Sequence, residues 1–288
     1  MKQKDDPYYT KSNPRGAFNV AEEKFILETL NNESDNIIKY YSDEESENKN
    51  QLKIEKCDYT LEKIKRIYNN KNRVIPERIV LHFISQIIQG LEFMNRKGVI
   101  HNDIKMENIM ISYKKTKTPI IKSIDFENLL MQATCKIIDY DLSKKIKFDE
   151  NEDPFDCSEM KYKRVDLYSV GLVMYFLLTL HQPSSTQSDI EFNENEKISK
   201  TSILLLRQLL KANPSRRITA KEALKFIEEN KEKLELIDFG TIKEKFIRVN
   251  NGVKYLRLPL TQETSLFKYN LVQEHQYKES FIKQTITK

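Results

Sequence analysis

From Asp166 to Leu180 the chain reads DLYSVGLVMYFLLTL, a helical stretch with almost no polar face. A helix at a protein surface keeps one polar side, so this one has to be wrapped by other elements inside a lobe. The apolar run within it, Val170 to Leu180, is too short to cross a bilayer, and the start of the chain, MKQKDD, is charged where a secretory signal would be apolar. A helical lobe needs further helices to do the wrapping, and 288 residues can supply them, either as two lobes or as one large domain.

The clearest of these helices runs from Pro76 to Lys97. Val80, Ile84, Ile87, Ile88, Leu91 and Met94 recur at helical spacing, Pro76 suits the first turn and Gly98 the C-terminal cap. Ser202 to Lys211 and Thr219 to Glu229 read as two more, the second opened by a capping box of Thr219 with Glu222. The C-terminal half is therefore expected to be mainly helical. Upstream, Phe18, Phe25, Ile26, Leu27 and Leu30 lie near one face of a helix with Glu22 and Glu23 in its first turns. The β-like IIKYY at 37–41 and the strand Gln51 to Glu55 are set off by the polar stretches 31–35 and 42–50, which gives a small β-containing N-terminal region. Beyond about Glu235 the pattern breaks into short mixed segments without assignable structure.

Composition narrows the function classes. Lys and Arg number 48 against 43 Asp and Glu, and the excess of +5 is spread along the chain, so neither nucleic acid nor a membrane surface has a strong electrostatic claim on it. Cys57, Cys135 and Cys157 are odd in number and have no CxxC or Cys/His ligand spacing, which points to reduced, inert thiols in a cytoplasmic protein.

The chemistry concentrates in VIHNDIKMENIMI, residues 99–111, a loop between the long helix and a short strand. Phosphoryl transfer with magnesium needs a carboxylate to orient and accept the proton of an attacking hydroxyl, a cation near the transferring group, and hard oxygen ligands for the metal. Asp103, Lys105 and Asn108 supply one of each. A second carboxylate, Asp139, follows the apolar Ile137 and Ile138 at a strand end in KIIDYDLSKKI. Any one Asp is usually a cap or turn residue; the combination is what carries the reading. His101 taken alone is a packed core histidine.

At these residues the sequence resembles the eukaryotic protein kinase family, whose pattern is HRDxKxxN, then DFG, then a buried DxWSxG helix, then a late Arg segment. His101-Asn102-Asp103 stands for HRD with Asn for Arg, and Asp139-Tyr140-Asp141 for DFG with Asp for Gly. DLYSVG at 166–171 and NPSRRITAKEAL from Asn213 follow in family order, so the likeness covers roughly residues 20–232. It implies an α+β, bilobal protein-kinase-like fold with a truncated, small β-rich N-lobe and a mainly α-helical C-lobe. Residues 1–59 would be the partial N-lobe, 60–235 the C-lobe with an insert at about 113–135, and 236–288 a tail. It also implies ATP and Mg2+ as cofactors, a protein substrate, and serine or threonine as acceptor, because Lys105 stands two residues after Asp103.

By that resemblance Asp103 is the catalytic base, Lys105 the phosphate-contacting cation, and Asn108 and Asp139 the magnesium ligands. Glu23 matches the helix-C glutamate, Glu55 and Cys57 the hinge whose backbone meets adenine, and Met110 the floor beneath it. Tyr140, Leu27, Tyr40 and His101 would stack as the family's hydrophobic spine, and Asp166 would brace the catalytic loop. Glu159 would pair with Arg217. Asp125, in DFE, rivals Asp139 for the metal; the literal DFG at 238–240 falls after the late Arg segment and is set aside.

The family also covers the ATP phosphates with a glycine-rich hairpin, which six scattered glycines cannot form here. Counting back from Glu23, Lys2 falls near the lysine of the family's third strand, as in a kinase truncated partway along that strand. Asn in place of Arg at 102 removes the cation that would receive a phosphorylated activation loop. Two alternatives stay open: a pseudokinase or scaffold module that handles ATP poorly, and a small-molecule kinase of the aminoglycoside or choline type, whose HxDxxxxN loop is also matched.

Overall fold

In the computed structural model, residues 8–14, 20–46, 49–71, 73–113, 123–146, 164–179, 198–230, 247–248 and 254–255 are described. The first strand, β1 (Tyr8–Pro14), leads to helix α1 (Val20–Leu30), and the hairpin of β2 (Tyr40–Ser46) and β3 (Lys49–Glu55) completes an antiparallel sheet of order β1-β3-β2. Lys11 on β1 stands opposite Leu52 on β3. Directly opposed residues share a sheet face, and Leu52 is buried in the core with Ile26 and Leu27 of α1. That register aims Lys11 at the helix.

Two expectations for this region change. The polar stretch 42–50 is strand over most of its length, paired as far as Ser46 with Lys49. Ladder hydrogen bonds come from the backbone, and β2 is an edge strand, so polar side chains are tolerated there. Phe25, expected on the buried face of α1, is instead 51% exposed, with Lys145 Nζ 5.3 Å from its ring centre. Phe18 lies outside the described residues.

Next come β4 (Tyr59–Thr60), α2 (Leu61–Asn69) and α3 (Glu77–Arg96). Thr60 caps α2 by accepting from the Lys63 amide, while Leu61, Ile64 and Tyr68 bury one side of it. α3 starts just after Pro76, ends before Gly98 at φ 70°, and buries all six of the apolar positions that predicted it. Each such side chain contributes roughly 1.5–3 kcal/mol by leaving water, an upper estimate.

β5 (Val99–Ile100), β6 (Ile109–Ser112), α4 (Ser123–Met131), β7 (Thr134–Ile137) and β8 (Lys144–Lys145) follow. β6 pairs with β4 and β7, and β5 with β8, so the loop 101–108 is pinned at both ends. The expected insert thus contains a helix, with Leu129 and Leu130 of α4 buried and Phe126 6.4 Å from Tyr68.

The all-apolar stretch is α5 (Val165–Thr179), packed against α3 and against α6 (Lys200–Leu209). Gly171 makes the close approach possible: a Cβ there would lie 2.8 Å from Leu210 Cδ2. At the head of α6, the Glu77 carboxylate from α3 accepts from the Ser199 amide at 3.1 Å and from the hydroxyls of Ser199 and Ser202, tying two helix starts together. The last helix, α7 (Ala220–Glu229), has the capping box read from Thr219 and Glu222 and packs on α3.

Residues 1–238 form one compact unit and 239–288 another. In the second, Ile247–Arg248 and Lys254–Tyr255 pair as short antiparallel strands. Among the described residues no helix is long and apolar enough to cross a membrane.

Candidate active site

The loop that follows β5 is held through its backbone. Asp166, at the head of α5, accepts from the His101 and Asn102 amides, each at 2.8 Å. Burial raises the Asp166 pKa, against the pull of His101 and of those two amides. Asn102 sits at φ 66°, a left-handed conformation that Asn tolerates better than most residues, and its side-chain amide donates to Leu142 O at 3.1 Å.

His101 is fully buried, and burial keeps its imidazole neutral. The Asp103 amide donates to Nδ1 at 3.2 Å, so the ring proton belongs on Nε2, which lies 3.0 Å from the Ile138 carbonyl. The ring packs 5.3 Å from Tyr140, one of the contacts expected of a spine.

This frame presents Asp103. Lys105 Nζ reaches its Oδ2 at 2.6 Å, and Asn108 Nδ2 donates to the same oxygen at 2.8 Å and to the Asp103 carbonyl at 2.9 Å. The carboxylate raises the Lys105 pKa, chiefly through that hydrogen bond. With both amide hydrogens of Asn108 directed at Asp103, its Oδ1 is the atom left to ligate, a hard oxygen suited to magnesium. Asp103 Oδ1 is the oxygen with capacity to accept from an incoming hydroxyl.

The other half of the site is assembled from three distant segments. β7 ends at Ile137, and two residues later Asp139, at φ 68°, places Oδ1 2.8 Å from Lys11 Nζ. Lys11 Nζ also contacts both oxygens of Glu23, at 2.9 and 2.8 Å, and Asp141 Oδ1 at 3.2 Å. Burial disfavours the Lys11 charge, but Glu23 and Asp139 outweigh it and the net shift is upward. Glu23, 3% exposed, is pushed up to about 7 by burial, against the attraction of Lys11 and with the Asp141 carboxylate adding to the rise. The carboxylates of Glu23, Asp139 and Asp141 converge closely enough to hold a metal ion, and the Lys11 ammonium already lies among them.

The expected partner of Glu23, Lys2, lies outside the described residues, and the cation found there is Lys11. Counting back by the family's spacing overshot, because only 12 residues separate Lys11 from Glu23. The signal available in the sequence was a lysine in the alternating stretch YYTKSN ahead of a helix with an early Glu. Asp125 lies within α4, whereas Asp139 reaches the Lys11–Glu23 pair.

On the hinge side, Glu55 ends β3 and its amide donates to Lys39 O at 2.8 Å. Its carboxylate pairs at 2.9 Å with Lys136, a buried lysine of β7 that also donates to Asp35 O. Cys57 is half-buried, and burial pushes its thiol up to about 12, so it carries no thiolate near neutral pH. Met110 lies on β6 opposite Lys136. Cys135 is buried and Cys157 lies outside the described residues.

Arg217 is buried, with its guanidinium spent on the carbonyls of Lys211, Ala212 and Arg164 and its carbon 5.0 Å from the Tyr168 ring centre. Glu159, expected to pair with it, lies outside the described residues. A cavity of about 500 Å³ opens beside the loop, lined by Ile104, Met106, Glu107, Lys65, Leu172 and Phe176.

Comparison with known proteins places this chain in a family. The protein kinase domain profile matches residues 8–227. The chain belongs to the protein kinase family.

Among curated proteins it is 29% identical over 176 residues to the meiosis-specific serine/threonine-protein kinase mek1 of Schizosaccharomyces pombe, covering 54% of this chain and 38% of that protein. It is 31% identical over 159 residues to the serine/threonine-protein kinase ULK3 of Xenopus laevis, covering 51% and 33%. To the serine/threonine-protein kinase ATG1a of Arabidopsis thaliana it is 26% identical over 234 residues, covering 73% and 34%. The matched part spans about a third of these relatives' lengths.

Proposed function

We propose that this chain transfers the γ-phosphoryl group of Mg-ATP to serine or threonine hydroxyls of protein substrates. The observation that carries the reading is the convergence of Asp103 with Lys105 and Asn108 on one loop, and of Asp139 with Lys11 and Glu23 beside it. The serine/threonine kinases it resembles support the acceptor type.

In this mechanism Asp103 orients the substrate hydroxyl and accepts its proton as the oxygen attacks, and Lys105 moves between Asp103 and the transferring phosphoryl to offset its charge. Asn108 Oδ1 and the Asp139 carboxylate hold magnesium, which supplies charge neutralisation on the phosphate oxygens when bound. Lys11, oriented by Glu23, steadies the remaining phosphates. The backbone at Glu55 and Cys57 receives adenine above Met110, and the cavity beside Ile104 and Phe176 gives room for a substrate segment.

The test is phosphate transfer from labelled ATP to a generic serine/threonine substrate. Wild-type transfer that is lost in Asp103→Asn with Mg-ATP binding kept supports the reading, and unchanged transfer in that variant overturns it. Asp139→Asn should weaken metal-dependent nucleotide binding itself. One observation favours a second reading, a binding module without turnover: three carboxylates crowd Lys11, the side chain meant for phosphate. Nucleotide binding without transfer in the wild type would select it.

A further inference from the structure

An ammonium has three N–H bonds and no more. On Lys11 they meet three carboxylates: Glu23, through both oxygens at 2.9 and 2.8 Å, Asp139 at 2.8 Å, and Asp141 at 3.2 Å. Four carboxylate oxygens thus share three N–H bonds, so every donor of Lys11 is committed to the protein and at least one is split between two acceptors. Glu23 is held in place, with a side chain only 4% exposed and the Tyr140 amide 3.4 Å from its Oε1. The Asp141 bond is the longest of the set and lies on the turn just after Tyr140, where a small movement lengthens it further. It is the contact most readily exchanged.

We propose that Asp141 is a resident competitor for Lys11, a carboxylate occupying the donor that a nucleotide phosphate takes, and that it thereby sets the affinity of the site for the polyphosphate tail. The inference rests on the reading that Lys11 meets the phosphates. An incoming phosphate displaces Asp141 from the ammonium and then faces the freed carboxylate as a neighbouring like charge. Both effects weaken binding of the phosphates, and neither touches the adenosine part of the ligand. Asp141 acts here through Lys11, as a positioning residue.

Calorimetric titration of the full chain with a non-hydrolysable Mg-ATP analogue and, separately, with adenosine reads this directly. Asp141→Asn keeps the size of the side chain and removes its charge, and should tighten the ATP analogue about tenfold, the order of one charge-assisted hydrogen bond, with adenosine unchanged. Removing Lys11 should remove the gain: between Lys11→Met and the double variant Lys11→Met, Asp141→Asn, the difference should shrink to about threefold or less. Asp141→Ser, checked by its melting curve, serves if the Asn variant fails to fold.

Equal affinity in wild type and variant, tightening of adenosine by the same factor, or a full gain without Lys11 would each overturn the inference while leaving the proposed kinase reading in place. Failure of wild type and of Asp141→Asn alike to bind any nucleotide overturns both.

Discussion

The two halves of the site use the same pair of groups, a carboxylate and an ammonium, and build them in opposite ways. Around Asp103 the chain stays local: Lys105 and Asn108 are two and five residues away, and the frame is backbone, two amides donating to one buried Asp166. Around Lys11 the chain is far-flung, with Glu23 12 and Asp139 128 residues away, and side chains make most of the join, with one long bond from the Tyr140 amide to Glu23. One cation meets one carboxylate in the first case and three in the second. The local half is poised by geometry, the distant half by a balance of charge that can be retuned by one residue.

The comparison is broken most severely at Asp103. Asp103→Asn is expected to lower kcat about 10³-fold or more with KM for ATP little changed, read by steady-state kinetics. A matching loss of nucleotide affinity would show that the halves are not separable. Asp166→Ala leaves the His101 and Asn102 amides without their charged acceptor, and should cost about 3–5 kcal/mol in urea unfolding.

Glu23→Gln sharpens the contrast through pH. Burial pushes the Glu23 pKa up to about 7 in the folded chain, from the ordinary carboxylate value of 4.5 that it has when unfolded. Between those limits the folded chain holds more protons, so wild-type stability falls as pH rises from 4.5 towards 7. The Gln variant should lack that component, gaining on wild type by up to about 3 kcal/mol at pH 8 compared with pH 4. A difference that stays flat across this range would mean that Lys11 keeps Glu23 ionised throughout. The smallest expected effect is at Asn102→Ala, about 1–2 kcal/mol in urea unfolding, because its hydrogen bond to Leu142 O is exposed and the rest is the strain of Ala at φ 66°.

The same contrast explains what could be read from the sequence. Asp103, Lys105 and Asn108 fall within a few residues of one another, so their spacing was visible, as were α3 and the capping box of α7, which depend on local periodicity and local hydrogen bonds. α2 and α4 carried weaker versions of that signal, Leu61, Ile64 and Tyr68 in one and Phe126, Leu129 and Leu130 in the other, and were passed over in polar surroundings. Lys11 was missed because its role depends on a sheet register, Lys11 opposite Leu52, that no short window contains. Asp141 reads as a simple departure from a glycine until the fold brings β1 against it. The partly buried Glu55–Lys136 pair was likewise invisible, since the two residues lie on different sheets.

Asn102 has one more consequence. Its bond to Leu142 O joins the loop of Asp103 to the stretch that carries Asp139 by a clasp with no formal charge. Ionic strength has nothing to screen there, and no proton comes on or off across the working pH range. Because the amide is exposed, water competes for it and the net contribution of the bond is small. The two halves of the site are thus joined at this point by a contact that neither salt nor pH can switch.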